Sequence, residues 1–207
     1  GFDVNVAGCS FGAPGSYFWP YRRARQKNST VARVTNFPPS ESTRGKYLTE
    51  MLAEQAVGVI ERWKGERFFL HLAHYAVHTP IQGRRDLVKK YRAKITPTHR
   101  HRNAEYAAMV ESVDRSVGAV VSALDRLKLT DKTVIVFTSD NGGLIHGRNG
   151  PTDNRPLRAG KGSAYEGGVR VPAIVSWPGR VPGNITCHEP VITCDLYPTV
   201  LEMAGVP

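Results

Sequence analysis

Two adjacent polar residues, Asp140 and Asn141, follow an apolar run and stand directly before Gly142 and Gly143. The run at residues 133–139 reads TVIVFTS, which is typical of a buried strand. A carboxylate and an amide side by side offer the oxygen ligands that a hard cation such as Ca²⁺ or Mg²⁺ prefers. Asn-Gly is also a common turn pair, so on the dipeptide alone a polar turn is favoured over a cation site.

Histidines are a second source of chemistry, in the segment HLAHYAVHTP at residues 71–80. His71 and His74 fall within a predicted strand, where packing or a satisfied hydrogen bond is the usual role of a histidine. His78 lies beyond that strand, in the loop before Pro80, and this position favours a ligand-facing role.

A glycine-rich segment, PLRAGKGSAYEGGVRVP at residues 156–172, contributes cations. Lys161 lies between two glycines, where its ammonium group can approach an anionic oxygen closely. Arg158 is a further candidate for substrate binding. The order of residues is not that of a nucleotide-binding GxxxxGK[ST] loop. The alternative is a mobile surface loop.

The pattern of elements predicts an α/β fold with a mostly parallel sheet flanked by helices. Helices are expected at residues 46–64 and 103–127, and strands at residues 67–75, 133–139 and 171–177, with a possible short strand around 29–34. A final helix is expected near Asp195, with Pro198 in its first turn. Ligands bind beyond the carboxyl ends of parallel strands, so the sequence predicts that the cation pair, His78 and Lys161 meet at one edge of the sheet. Such a site suits a tetrahedral anion, sulfate or phosphate.

The charge of the chain is strongly positive, with a formal net charge of +10 over 207 residues. Much of it lies between Arg84 and Arg102, a segment with eight Lys or Arg residues and one Asp. This segment is interpreted as a solvated basic helix and loop, or as a surface that steers an anionic substrate. No RNP-type or zinc-finger pattern supports nucleic-acid recognition. No run approaches the roughly 18 apolar residues that a membrane span requires.

Several segments, in order along the chain, resemble the formylglycine-dependent sulfatases of the alkaline phosphatase superfamily. The segments are GFDVNVAGC, HYAVHTP, VIVFTSDNGG, LRAGKGSAYEGGVRVPAIVSWPG and DLYPTVLEMAGVP. The resemblance implies that Asp140 and Asn141 are two ligands of a divalent cation, usually Ca²⁺. It implies that His78 hydrogen-bonds the sulfate ester near the leaving oxygen and that Lys161 binds a sulfate oxygen. Glu166 and Arg170 are expected to organise the loop.

The family's nucleophile, a formylglycine made within a C/S-x-P-S/A-R motif, has no counterpart among Cys9, Cys187 and Cys194. The resemblance therefore implies a partial sulfatase catalytic domain over residues 1–207, with the nucleophile and further cation ligands expected in an N-terminal portion and the family's small C-terminal subdomain absent. The chain alone is expected to be inactive. The implied reaction is hydrolysis of a sulfate ester, on a sulfated carbohydrate or an aryl sulfate. The alternatives are a metal-dependent phosphate-ester hydrolase of the same superfamily and a non-catalytic fragment that binds polyanions. By resemblance, the expected location is periplasmic, secreted or lysosomal. The oligomeric state is left open.

Overall fold

The structure, a computed structural model, describes residues 2–23, 32–37, 43–145 and 150–206. The chain divides into two compact units, Gly1–Leu127 and Lys128–Pro207. Within the described residues, no helix is both long and apolar enough to cross a membrane.

The first unit is built on helices. Its elements are β1 (Arg22–Arg23), β2 (Ala32–Arg33), α1 (Leu48–Trp63), α2 (Arg85–Lys94) and α3 (Ala104–Arg126). The strands β1 and β2 pair in antiparallel fashion, with Arg22 opposite Arg33. The predicted short strand around residues 29–34 is seen only in part, because residues 29–31 lie outside the described residues.

Both long helices form because an apolar stripe repeats at helical spacing, and the predictions at residues 46–64 and 103–127 are confirmed to within two residues at each end. The side chain of Asn103 accepts a hydrogen bond from the backbone N–H of Tyr106 at 3.0 Å, which caps the start of α3. The main core lies where α1 packs against α3 and against the aromatic N-terminal segment. Its largest fully buried side chains are Tyr17, Tyr21, Leu48, Met51 and Met109.

The prediction of a buried strand at residues 67–75 is wrong. The segment is extended, but it pairs with no strand in the described part of the chain. Exposure alternates along it: Phe69 and His71 face solvent, whereas Leu72 packs against the core. The period-two pattern in the sequence therefore reflects an extended segment that lies with one side on the core, without a ladder of backbone hydrogen bonds.

The second unit contains a 3₁₀ turn (Thr130–Lys132), β3 (Ile135–Thr138), α4 (Glu166–Val169), β4 (Ala173–Ser176) and α5 (Thr193–Met203). β3 and β4 confirm the strands predicted around residues 133–139 and 171–177. Pro198 lies in the second turn of α5 rather than in its first, because the helix already begins at Thr193.

The sheet of the second unit is antiparallel, with Ile135 opposite Ser176 and Thr138 opposite Ala173. The mostly parallel sheet that the sequence predicts is therefore not found among the described strands, each of which has an antiparallel partner. A parallel pair requires a crossover that carries the chain back to the starting end of the first strand. Here the connection from β3 to β4 is a glycine-rich loop that stays at one end, so β4 returns in the opposite direction.

Candidate functional site

Asp140 and Asn141 follow the carboxyl end of β3, as expected. The side-chain amide of Asn141 donates to Asp140 Oδ2, and the hydroxyl of Ser139 donates to the Asn141 carbonyl oxygen at 3.1 Å. The Asp140 side chain is exposed, and no Lys or Arg of the described residues forms an ion pair with it. An unneutralised carboxylate beside an amide is thus displayed at the end of a strand.

The two glycines that follow are places of close backbone approach. The N–H of Gly142 donates to the carbonyl oxygen of Gly168 at 2.9 Å. A Cβ on Gly142 would lie 1.9 Å from the carbonyl oxygen of Gly167, and one on Gly143 would lie 2.4 Å from Thr152. The absence of a side chain at Gly142 thus admits the backbone at Gly167 and Gly168, and its absence at Gly143 admits Thr152 and Asn154.

Asn154 holds this loop together from its middle. Its amide donates to the carbonyl oxygens of Gly143 at 2.8 Å and Gly167 at 2.9 Å, with a longer contact of 3.3 Å to Ala159. These bonds satisfy carbonyl groups that the folded loop withdraws from water. Sequence reasoning missed this residue, because an Asn in a Pro- and Arg-rich loop is an ordinary turn residue with no spacing that marks a distant contact.

Lys161 is tied to the same stretch as the proposed cation ligands. Its backbone N–H donates to the carbonyl oxygen of Gly143 at 3.0 Å, two residues past Asn141. The next residue, Gly162, has a φ of +86°, a left-handed conformation that suits glycine. The Lys161 side chain is half-buried, and its ammonium group has no partner in the part of the chain that the structure describes. The glycine-rich loop thus holds the Lys161 backbone beside the Asp140–Asn141 stretch and leaves its charge available.

Arg158 lies in the same loop, three residues before Lys161. Its carbonyl oxygen accepts from Gly167 at 2.9 Å, and its guanidinium carbon lies 3.7 Å from the centre of the Tyr165 ring. This cation–π contact orients the side chain. Glu166 and Arg170 form an exposed ion pair at 3.2 Å across one turn of α4, in keeping with a role in loop organisation.

His78 belongs to the first unit, in a turn closed by its N–H bond to the carbonyl oxygen of Tyr75 at 2.9 Å. Its ring Nδ1 lies 3.0 Å from the carbonyl oxygen of Thr79. The Thr79 hydroxyl lies 3.2 Å from the same nitrogen, so Thr79 holds Nδ1 through its carbonyl oxygen or its hydroxyl, according to the tautomer. The meeting of His78 with Asp140, Asn141 and Lys161 stays a prediction.

The turn that carries His78 is anchored by the buried Tyr17. The Tyr17 hydroxyl lies 2.6 Å from the carbonyl oxygen of Tyr75 and 2.9 Å from that of His78, and it donates to this pair. Burial raises the pKa of Tyr17 far above its usual value, so the hydroxyl keeps its proton. The side chain of Gln82 accepts from the Tyr17 N–H at 2.9 Å and so fixes the backbone of the same tyrosine. Sequence reasoning did not identify Tyr17, since an aromatic residue in a loop-rich N-terminal segment gives no signal of a contact 61 residues away.

The other two histidines of the segment, His71 and His74, are not placed to bind a ligand. His74 lies against α3, with Nε2 at 2.9 Å from the Ser116 hydroxyl, and burial lowers its pKa to about 4. It is therefore neutral and packed at physiological pH, in line with the structural role expected from the sequence. His71 is exposed.

The oxygen atoms of the candidate cation ligands are of the type that a divalent cation prefers. Asp140 and Asn141 provide hard oxygen atoms, the type that Ca²⁺ and Mg²⁺ take in proteins. Among the described residues no group of three His, Cys, Asp or Glu side chains could hold a metal ion. A Ca²⁺ ion takes about six to eight oxygen ligands, so Asp140 and Asn141 by themselves could supply only a part of such a coordination shell.

Comparison with known proteins identifies one family over nearly the whole chain. The family model named Sulfatase matches residues 9–206. A "Sulfatase" of Formosa agariphila is 43% identical over 171 residues, covering 77% of this chain and 30% of the relative. The N-acetylgalactosamine-6-sulfatase of Canis lupus familiaris is 32% identical over 207 residues, covering 95% of this chain and 38% of the relative. The chain thus spans about a third of the length of these relatives.

Solved structures give the same picture for the fold. The crystal structure of Ps i-CgsB in complex with k-i-k-neocarrahexaose matches with a TM-score of 0.71 and 36% identity. The match covers 86% of this chain and 38% of the solved one. The structural neighbours are sulfatases with an alkaline-phosphatase-like fold.

Proposed function

Because the chain belongs to the sulfatase family, we propose that the protein hydrolyses a sulfate ester and that this chain supplies part of the site. The observation that carries the proposal is the 3.0 Å hydrogen bond from the Lys161 N–H to the Gly143 carbonyl oxygen. It bonds the segment that carries Lys161 to the segment that follows Asp140, and neither side chain forms an ion pair with a described residue. A lysine and a carboxylate on two bonded segments suit a site that binds a cation and an anionic group together.

Each residue has a separate task in this proposal. Lys161 contacts a non-bridging sulfate oxygen and stabilises the charge that develops there, and Arg158 contributes to substrate binding. His78, whose Nδ1 is held by Thr79, presents Nε2 to the ester near the leaving oxygen and hydrogen-bonds it there. Asp140 and Asn141 would hold the divalent cation.

Sulfatases generally use Ca²⁺ and formylglycine, which supply charge neutralisation of the sulfate group and the nucleophile. We propose that the intact protein uses both, with Mg²⁺ as the alternative ion, and that residues 1–207 form part of its catalytic domain. β3 pairs with β4 along one edge. We propose that the other edge of β3 takes a parallel neighbour in the intact protein, so that the sheet of the whole domain is mostly parallel.

A sulfated carbohydrate is the proposed natural substrate. Two similar proteins support this class: one is named for N-acetylgalactosamine-6-sulfate chemistry, and the other was solved with a neocarrahexaose. An aryl sulfate serves as a small test substrate. The proposed location, periplasmic, secreted or lysosomal, follows from the same family.

The test compares hydrolysis of nitrophenyl sulfate and nitrophenyl phosphate by the intact protein. We expect the sulfate to be preferred, and Lys161→Ala to lower kcat/KM by about 100-fold or more, since it removes a charge that acts in the transition state. Lys132→Ala, which removes an exposed lysine of the same unit, is the matched control and should leave turnover unchanged. Preference for the phosphate ester would support the phosphate-hydrolase alternative. Equal effects of the two substitutions would reject the role of Lys161.

A further inference from the structure

Three cations of α2 line one open groove in the first unit. Arg85, Lys89 and Arg92 border a cavity of about 430 Å³ together with Gly83, Val88 and Glu105. The three basic residues follow one another at steps of four and three residues, so they share one face of the helix. At a rise of about 1.5 Å per residue, their charges are spread over about 10 Å of the helix axis.

The Lys and Arg residues of this segment fall into two groups. Some form ion pairs that support the fold, and others line the groove. Arg84 pairs with Glu50 and Asp86, and Lys90 pairs with Glu111 at 2.6 Å. These residues serve the fold.

The cations that line the groove, in contrast, are mostly not neutralised by carboxylates. Arg85 and Lys89 have no carboxylate partner within the described residues and are exposed. Arg92 lies 3.6 Å from Glu105, whose other oxygen accepts the N–H of Gly83 at 2.7 Å. The groove therefore carries three cations and one carboxylate, a net charge of +2, and Arg92 is the one cation of the three that contacts the carboxylate.

The helix that displays these charges is firmly supported. Leu87 and Val88, on its inner face, are 2% and 5% exposed and pack against Ala104 and Ala108 of α3. The Lys90–Glu111 bond ties the same two helices together at the surface. The cationic face is thus held in place before a ligand arrives, which reduces the entropy lost on binding.

The spacing favours a long anion over a small one. A single sulfate or phosphate group reaches only part of a row about 10 Å long, whereas a chain with repeated anionic groups meets all three cations. Single-stranded nucleic acid is disfavoured, because single strands also need aromatic faces for stacking of bases. The only aromatic residue of α2, Tyr91, is half-buried, and the ammonium group of Lys90 lies 5.3 Å from its ring.

We propose that this groove binds a sulfated polysaccharide chain, through residues other than those assigned to ester hydrolysis. The class of polymer rests on the proposed function, whereas the presence of a polyanion site rests on the groove alone.

The test measures binding of a size-defined heparin oligosaccharide to the intact protein by calorimetry. The variant carries Arg85→Gln, Lys89→Gln and Arg92→Gln. Each lost charge is expected to weaken binding about fivefold, and all three about 100-fold. The affinity of the unsubstituted protein should also fall steeply with added salt, and that of the variant much less.

A matched control removes the same charge from elsewhere, with Arg62→Gln, Lys64→Gln and Lys132→Gln, three exposed cations outside the groove. It should keep heparin affinity within about threefold, since it leaves the groove intact. A double variant, Arg85→Gln with Lys89→Gln, spares the Arg92–Glu105 pair and guards against misfolding. Its affinity for heparin should still be about 25-fold weaker than that of the unsubstituted protein.

Heparin binding that survives the triple substitution, or falls equally in the control, would overturn the proposal. Tighter binding of an oligothymidylate than of heparin would overturn the class of ligand. Turnover of nitrophenyl sulfate, measured alongside, should be unchanged in the triple variant. If the protein showed no such turnover while heparin binding was lost in the variant, the proposed function would fail and the polyanion site would stand.

Discussion

Replacing Gly142 with alanine is expected to push the Asp140–Asn141 stretch away from the loop that carries Lys161. The added methyl group would lie 1.9 Å from the carbonyl oxygen of Gly167, where ordinary contact begins at 3.4 Å. The obstacle is backbone and cannot rotate away, so the two segments must separate by the difference, about 1.5 Å.

The separation has two costs. Overpacking of this kind lowers the free energy of unfolding by about 1–3 kcal/mol. The hydrogen bond from the Gly142 N–H to the Gly168 carbonyl oxygen, now 2.9 Å, would be lost as well, at about 1 kcal/mol. Together these predict a loss of about 2–4 kcal/mol. A misplacement of about 1 Å between reacting groups can cost about 100-fold in rate, so kcat/KM for an aryl sulfate should fall by at least that factor.

The assay combines denaturant unfolding of the intact protein with turnover of nitrophenyl sulfate. Gly183→Ala is the matched control, since a Cβ at Gly183 meets nothing within 4 Å. It should change the free energy of unfolding by no more than about 0.5 kcal/mol and leave turnover intact. If Gly142→Ala behaved like this control, the close approach of the two backbone segments would be wrong, and with it the account of how Lys161 is positioned.

Two further predictions concern the first unit. Tyr17→Phe removes the buried hydroxyl that donates to the turn of His78, so it should lower the free energy of unfolding by about 1–3 kcal/mol, seen as a lower denaturant midpoint, and also reduce aryl sulfate turnover. Loss of stability without loss of turnover would mean that the turn does not position His78. Lys90 is the main cause that lowers the pKa of Glu111 to about 2 from an ordinary 4.5. Because the folded-state pKa is depressed, the Glu111 contribution is complete above pH 4.5 and is lost as pH falls towards 2. Glu111→Gln should lower stability by about 1 kcal/mol near neutral pH and flatten the profile in that window, which unfolding measured against pH would detect.

The helices could be predicted from the sequence because their determinants are local. Apolar residues at helical spacing placed α1 and α3, and the cap at Asn103 is a side-chain bond to a residue three positions away. The strands were harder. The segment 67–75 has the right alternation, but whether an extended segment joins a ladder depends on a partner that its own residues do not encode.

The candidate site shows the same division. The residue types at Asp140, Asn141 and Lys161 pointed to a cation and an anionic oxygen, because the chemistry of a side chain is visible in the sequence. The contacts that place them were not predictable. The Asn154 amide bonds the Gly143 carbonyl oxygen across 11 residues, and the Gly142 N–H bonds the Gly168 carbonyl oxygen across 26 residues. No local spacing in the sequence predicts such contacts. Family resemblance supplied the order of the segments, and the structure supplies the reason for the glycines.

The most direct test of the central claim is a double-mutant cycle on His78 and Lys161 in the intact protein, with kcat/KM for nitrophenyl sulfate as the readout. Groups that act on the same reacting ester are strongly non-additive. Each single alanine substitution should lower kcat/KM by about 100-fold or more. The double variant should have a kcat/KM only slightly below that of the less active single variant. Losses that multiply would mean that the two residues act independently, and they would contradict a shared sulfate-ester site.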